Sequence, residues 1–453
     1  MEIGRKFMNR EIMRLTIPIL IETVLASLFG MVDLLMVGQA GRGQKIAASI
    51  SAIGMTTQYA FLAQMVIQAF SSGGTAIISR YFGAKKYDKI ENVFRHVLVI
   101  AMIFFVFPYV LSGLLFAEKI LMFFGAGSDT ISVGSTYFRI VVIGMMFQSY
   151  NICITAAFRG IGNSSLPMKV NLFSNFFNII ANFLLIYGMF GFPRLEITGA
   201  AIATALAQFI GSIILTYDIF HGKSYININL KNKFKFNKDI VYNMLKIGGP
   251  AALEQFLFRV AMLIYVRIVA GLGTLIFATH QVCASIMNLT YTPGTSFGLA
   301  TQTFTGRSLG EGDFELAERY VRGSSKLAVY ISGTIAITFF FFSKQVVFLV
   351  NHDIKIIEKA APVIQLMAFV QPIQCIQLVT TGGLRGSGDT MWSMITIIVS
   401  VIGIRLTLAY SFINYFNLGL MGAWYAFFSD QVFRWLLIEY RFKSGKWKYI
   451  RIK

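Results

Sequence analysis

The chain has 453 residues, of which 56% are apolar and only 13% charged, and its mean hydropathy is +0.65. A soluble protein of this length would carry about a quarter of its residues as charges, so that class is excluded. The net charge of +19 would suit nucleic acid if it covered one folded face, but the lysines and arginines fall between apolar runs, and no nucleic-acid partner is expected.

About 254 apolar residues leave room for roughly twelve crossings of ~20 residues each. Taken in chain order, the apolar runs predict spans near 15–38, 46–79, 96–117, 131–157, 166–190 and 197–220. A second set follows near 242–270, 275–305, 325–346, 358–382, 391–414 and 418–440. The first run, Leu15 to Val37 behind Arg5, Lys6, Arg10 and Arg14, is too long for the apolar part of a signal peptide and reads as a span. Cys153, Cys283 and Cys375 each sit in an apolar stretch and form no metal or disulfide pattern. With the N-terminus inside, and with lysines at the span ends counted in the adjoining loops, the inner segments hold 28 of the 40 basic residues, the outer loops 7 and the spans 5. That bias predicts a multi-pass cell-membrane protein with both termini cytoplasmic.

The longest polar connection, His221 to Lys238, falls at the middle of the chain. It divides an N-terminal six-helix lobe (1–220) from a C-terminal one (241–440), with a cytoplasmic linker at 221–240 and a basic tail at 441–453. Four blocks repeat in the same order across it. RLTIPILIE (14–22) matches KIGGPAALE (246–254), pairing Pro18 with Pro250 and Glu22 with Glu254. TAIISRYFGAKKYDK (75–89) matches QTFTGRSLGEGDFEL (302–316), pairing Arg80 with Arg307 and Gly83 with Gly310. QSYNICITAAFRGIGNS (148–164) matches QCIQLVTTGGLRGSGDT (374–390), pairing Gln148 with Gln374 and Arg159 with Arg385. ITGAAIATALAQ (197–208) matches LMGAWYAFFSDQ (420–431). The fold expected is an all-α integral membrane protein of twelve transmembrane helices in two pseudo-symmetric six-helix bundles.

Ionisable and polar groups inside spans are costly and need a reason. Asp33 lies 19 residues beyond Arg14, about 28 Å along the first helix, where it either caps the helix or binds Na+ or a proton. Asn175, Asn178 and Asn182 share one face of the fifth span, either as interhelical glue or as oxygen ligands beside Asp33. An Na+ site at Asp33 and Asn178 follows from the second reading. Glu254, in the seventh span, is either paired with Arg259 or is a counter-charge for a cationic compound, and Glu22 is its repeat mate. His280 reads as hydrogen-bonded structure, and Arg405 with Asp430 as an internal salt bridge. Most of the 43 Phe and 20 Met pack against lipid or neighbouring helices; a minority, Met31, Met36 and Phe256 among them, are candidates to hold flat cations.

Several motifs resemble the multidrug and toxic compound extrusion (MATE) transporters. They are PILIETVLASLFGMVDLLMVGQAG (18–41), FRGIGNSSLPMKVNLFSNFFNIIANFLLIYG (158–188), ATHQVCASIMNLTYTPGTSFGLATQTFTGRSLGEGDFELAER (278–319) and LRGSGDTMW (384–392). The resemblance implies two lobes in a V around a central cleft, exporting organic cations in exchange for Na+ or H+. It places Asp33 in the cation site of the N-terminal lobe, and Gln281 and Tyr291 in the cleft. Some relatives carry an aspartate at the position of Asn182, an acid at Gln374, and an acid one turn beyond Glu254, at Phe258; here those acids are missing, and the coupling ion stays open between Na+ and H+.

No enzyme or cofactor signature is present. Arg-Gly-x-Gly at 159–162 and 385–388 follows no strand, and there is no Walker lysine motif, so an ion gradient must drive export. The expected partners are small cationic substrates and the lipid bilayer, with the protein a monomer. The competing reading is a flippase for lipid-linked saccharides, which needs arginines facing its cavity. An integral membrane enzyme is weaker still, since four scattered histidines make no cluster.

Overall fold

A computed structural model of the protein describes residues 2–40, 44–221, 225–226 and 234–450. Residues 222–224 and 227–233 of the expected linker, and 451–453 of the basic tail, lie outside the described residues. Twelve long helices account for nearly all the rest: α1 Glu2–Ala40, α2 Gln44–Gly83, α3 Tyr87–Leu115, α4 Ser128–Gly160, α5 Ser165–Tyr187, α6 Glu196–His221, α7 Lys238–Ala270, α8 Thr274–Glu311, α9 Phe314–Phe341, α10 Ile354–Ser387, α11 Thr390–Asn414 and α12 Gly419–Lys443. All but α7, α8 and α12 are long and apolar enough by composition alone to cross a membrane. Those three carry much of the interior polarity, Glu254 and Arg259 in α7, a run of Thr, Gly and Gln in α8, and Asp430 and Arg434 in α12. The ninth span ends earlier than hydropathy suggests: Phe342 leaves helical geometry and a separate short helix, Ser343–Phe348, follows.

The helices form two compact units. The N-terminal unit comprises Ile21–Ile78 and Lys86–Met244, and the C-terminal unit comprises Met1–Leu20, Ser79–Lys85 and Leu245–Lys453. The division therefore runs through α1 just after Pro18, and through the end of α2. Proline lacks the amide proton that would continue the helical ladder, which makes it a natural place for a helix to change direction.

In the C-terminal unit the first half of α1 is held by apolar packing. Ile12, Leu15 and Ile19 are buried with Phe297, Ala300 and Phe304 of α8 and Tyr320 of α9. Glu11 accepts a hydrogen bond from the Tyr320 hydroxyl at 2.6 Å and lies 3.6 Å from Arg307. The Ser79–Lys85 segment approaches α8 backbone to backbone. A Cβ on Gly83 would strike the carbonyl of Arg307, and one on Gly310 would strike the carbonyl of Arg80. These are the residues the sequence pairs as repeat mates, so the duplicated motif packs against its own copy. Arg80 also donates to the carbonyl of Ile450 at 2.9 Å, and Trp447 is fully buried against Phe442.

Small residues set the helix spacing. The α8–α10 contact closes because Gly382 meets the Gly298 carbonyl and Gly386 the Gln302 carbonyl, with no room for a side chain. In the N-terminal unit α4 packs on α6 and α5 on α6, with Gly144 against Ala205 and Gly199 against Leu185. α3 widens into a π-helical turn at Ala101–Val106, directly before Pro108. α11 does the same at Ile398–Leu406, a turn that carries Arg405 into the interior.

Candidate functional site

The N-terminal unit sets α1 and α5 side by side and parallel. On α5, Asn171, Asn175, Asn178 and Asn182 recur at i, i+4, i+7 and i+11, a stripe about 60° wide at 3.6 residues per turn. On α1, Glu22 and Asp33 are eleven residues apart, which returns to the same face about 16 Å further on. The Asn171 amide donates to Glu22 Oε1 at 2.6 Å, and the Asn182 amide to Asp33 Oδ1 at 2.7 Å. Both contacts span 149 positions in sequence, so the two helices keep one register along the whole stripe.

Asp33 is the centre of the C-terminal end of this stripe. The Asn178 amide, oriented so that both its ends are satisfied, donates to Asp33 Oδ1 at 3.0 Å and accepts from the Thr204 hydroxyl of α6 at 3.2 Å. Asn182 is fully buried, and its Oδ1 has no hydrogen-bond partner among the described residues. A carboxylate whose hydrogen bonds among the described residues come from neutral amides, beside an empty-handed carbonyl oxygen, is a donor set suited to a hard cation or a proton. Tyr187, at the end of α5, ties its hydroxyl to the Met36 carbonyl at 3.0 Å and fixes α1 here. Asn175 lies on the same face, half-buried, one step toward Glu22.

Glu22 and Glu254 are both neutralised by arginine. Arg159 of α4 pairs with Glu22 at 2.8 Å, and Arg385 of α10 pairs with Glu254 at 2.6 Å. Each glutamate is the repeat mate of the other, and so is each arginine, so the same ion pair is built once in each unit. The partner of Glu254 is thus Arg385 and not Arg259. The pairs differ in one respect: the other oxygen of Glu22 accepts from the Asn171 amide, whereas Glu254 Oε2 is buried without a partner among the described residues.

The other sequence candidates are dispersed. Gln374 is buried in the C-terminal unit and reaches Gln431 at 3.5 Å. Gln431 donates to Asp430 at 3.1 Å. Asp430 is also gripped by Arg405 and, at 2.9 and 3.0 Å, by Arg434, so the expected internal salt bridge is there with a second arginine added. Gln281 and Tyr291 are both on α8, ten residues apart with exposed side chains, and Phe256 of α7 and Met31 of α1 are 49% and 57% exposed. His280 is buried between the rings of Tyr265 and Trp424, a packed position. Among the described residues no group of three or more His, Cys, Asp or Glu could hold a metal ion.

Sequence reasoning missed Asn171, Thr204 and the two arginine partners. Asn171 had a usable signal, since it lies four residues before Asn175 and extends the same stripe. Arg159 and Arg385 had one too, being duplicated alongside the two glutamates.

Comparison with known proteins adds to this geometry. Residues 18–184 and 250–411 match the MatE family model, once in each half of the chain. A relative named "Probable multidrug resistance protein NorM" from Thermotoga maritima is 29% identical over 97% of this chain and 93% of its own length. "Uncharacterized transporter YisQ" from Bacillus subtilis is 28% identical over 96% of this chain and 94% of its own. A crystal structure of MATE in complex with MaD3S shares the fold with a TM-score of 0.88, at 23% identity and covering 97% of both chains.

Proposed function

This chain belongs to the MatE family of multi-pass membrane transporters and is not an enzyme, and from that premise we propose that it performs multidrug efflux, exporting cationic amphipathic compounds in antiport with Na+ or H+ by alternating access. The observation that carries the reading is Asp33, a carboxylate inside the membrane-spanning part of α1 that amides orient and that no cation among the described residues neutralises. Burying such a charge costs several kcal/mol, and a bound Na+ or proton removes that cost. A conformation that encloses Asp33 is therefore favoured when the ion is bound and disfavoured when it leaves, and this differential is what a gradient can use.

The substrate side of the reading rests on Glu254, Gln281, Tyr291, Gln374, Met31 and Phe256. Glu254 Oε2 has no donor among the described residues and is left to face a cation. Tyr291 and Phe256 present partly exposed rings, and Met31 a pliable thioether, to flat apolar cations. The flippase alternative draws no support from the interior arginines, because Arg159, Arg385, Arg405 and Arg434 are each tied to an acid. The protein acts as a monomer in the cell membrane with both termini in the cytoplasm.

Purified protein in vesicles, loaded with ethidium and given an Na+ gradient alone or a pH gradient alone, tests the proposal. Parental protein should export under at least one gradient, and Asp33→Asn should lose that export. Gradient-driven export by Asp33→Asn at the parental rate would refute Asp33 as the coupling site.

A further inference from the structure

We propose that the N-terminal unit holds a second station for the coupling ion, at Glu22, which the ion reaches from Asp33 along the asparagine stripe of α5. This rests on Asp33 being the coupling site. The two acids face the same way from α1, and each accepts an amide proton from α5 at the same sequence separation. About 16 Å of helix lies between them, too far for one step. Asn178 and Asn175 stand between, and residues three or four apart on a helix face are about 5–6 Å apart, close enough to hand on a small cation or a water-borne proton. With the N-terminus inside, Asp33 is the outer end of this route and Glu22 the inner one.

The bland account of four asparagines on one helix is glue between helices. The internal repeat argues against it. The C-terminal unit keeps the glutamate–arginine pair as Glu254 and Arg385. At the same ungapped spacing that relates Arg159 to Arg385, however, Asn171, Asn175, Asn178 and Asn182 correspond to Ile397, Val401, Ile404 and Leu408, and at the spacing that relates Glu22 to Glu254, Asp33 corresponds to Tyr265. One unit thus packs Ile397 and Val401 with Ala261 where the other keeps Asn171 and Asn175, and it sets an arginine, Arg405, over Tyr265 where the other sets amides beside Asp33. The fold does not require the stripe, so the stripe serves something only the N-terminal unit does. Arg159 gives the inner station its release step. A cation arriving at Glu22 competes with the guanidinium for the carboxylate and weakens both holds, so the ion can leave toward the cytoplasm.

The test uses the full-length protein in vesicles with ethidium as the exported probe, under whichever gradient drives the parent. Ion binding is read separately in detergent, by calorimetric titration with NaCl and by tryptophan fluorescence against pH. Glu22→Gln and Asn175→Val, the latter installing the residue found at the repeat position, should slow gradient-driven export about tenfold or more while ion affinity stays within about threefold. Asn175→Val touches neither acid and keeps the test valid should Glu22→Gln fold poorly. Exchanging the pair, Glu22→Arg with Arg159→Glu, should not restore export, because the carboxylate then stands on the wrong helix. Parental export by Asn175→Val, or rescue by the exchanged pair, would overturn the second station and reduce the Glu22–Arg159 pair to a strut. Loss of export in Asp33→Asn beside parental export in Glu22→Gln would likewise overturn the station alone. Parental export by Asp33→Asn would bring down the coupling site itself.

Discussion

The acids inside the helices meet three different fates. Glu22 and Glu254 each have one arginine, Asp430 has two, and Asp33 has amides but no cation among the described residues. A buried acid matched by an arginine is balanced while the pair holds, and removing one partner leaves an unpaired charge. Arg385→Met should therefore destabilise the protein by about 3–5 kcal/mol, and adding Glu254→Gln should recover much of the loss. Melting curves in detergent decide this, and equal stability of the parent and Arg385→Met would contradict it. Asp33 should behave oppositely, with Asp33→Asn folding as well as the parent while losing export, since nothing cationic is orphaned by the change. At this scale the sequence was readable where periodicity carried the signal. The facing of Asn178 and Asn182 toward Asp33 follows from their spacing and depth. The partners of Glu22 and Glu254 lie 137 and 131 positions away, beyond any local rule, and only their duplication alongside the glutamates points to them in the sequence.

Helix-to-helix distance in this protein is set by what is missing from side chains. Gly382 and Gly386 on α10 rest on the backbone of α8, so a larger residue must push two helices apart. Gly382→Val should cost about 1–3 kcal/mol or more through overpacking, whereas Gly333→Ala on α9, where nothing lies near the new methyl, should be neutral or slightly stabilising. Thermal unfolding of both variants checks the contrast, and a tolerated Gly382→Val would show that the α8–α10 contact is looser than it looks. The prolines fit the same pattern. Pro18 precedes the point where α1 passes from one unit to the other, and Pro108 follows a widened turn that takes up the strain of its missing amide. Helix number and approximate extent were visible in hydropathy. The widened turns were not, because a π-helical turn inserts without changing the apolar character of the run.

The whole molecule is a duplicated helical transporter whose two units share a scaffold and differ in interior chemistry. Positive charge counted loop by loop predicts that a cysteine appended at either end of the chain is labelled by an impermeant thiol reagent only when the cytoplasmic face is open. Cys153, Cys283 and Cys375 are buried and should stay silent in that assay. Labelling of either end from the outside would reverse the orientation. The duplication itself, the twelve spans and the handful of interior acids were all in the sequence, because transfer of a residue into lipid is a local property that adds up along the chain. The membership of the first twenty residues in the C-terminal unit was not, nor was the parallel register of α1 and α5. Those depend on how each helix is rotated about its axis and which neighbour it meets, and only packing between distant segments decides that.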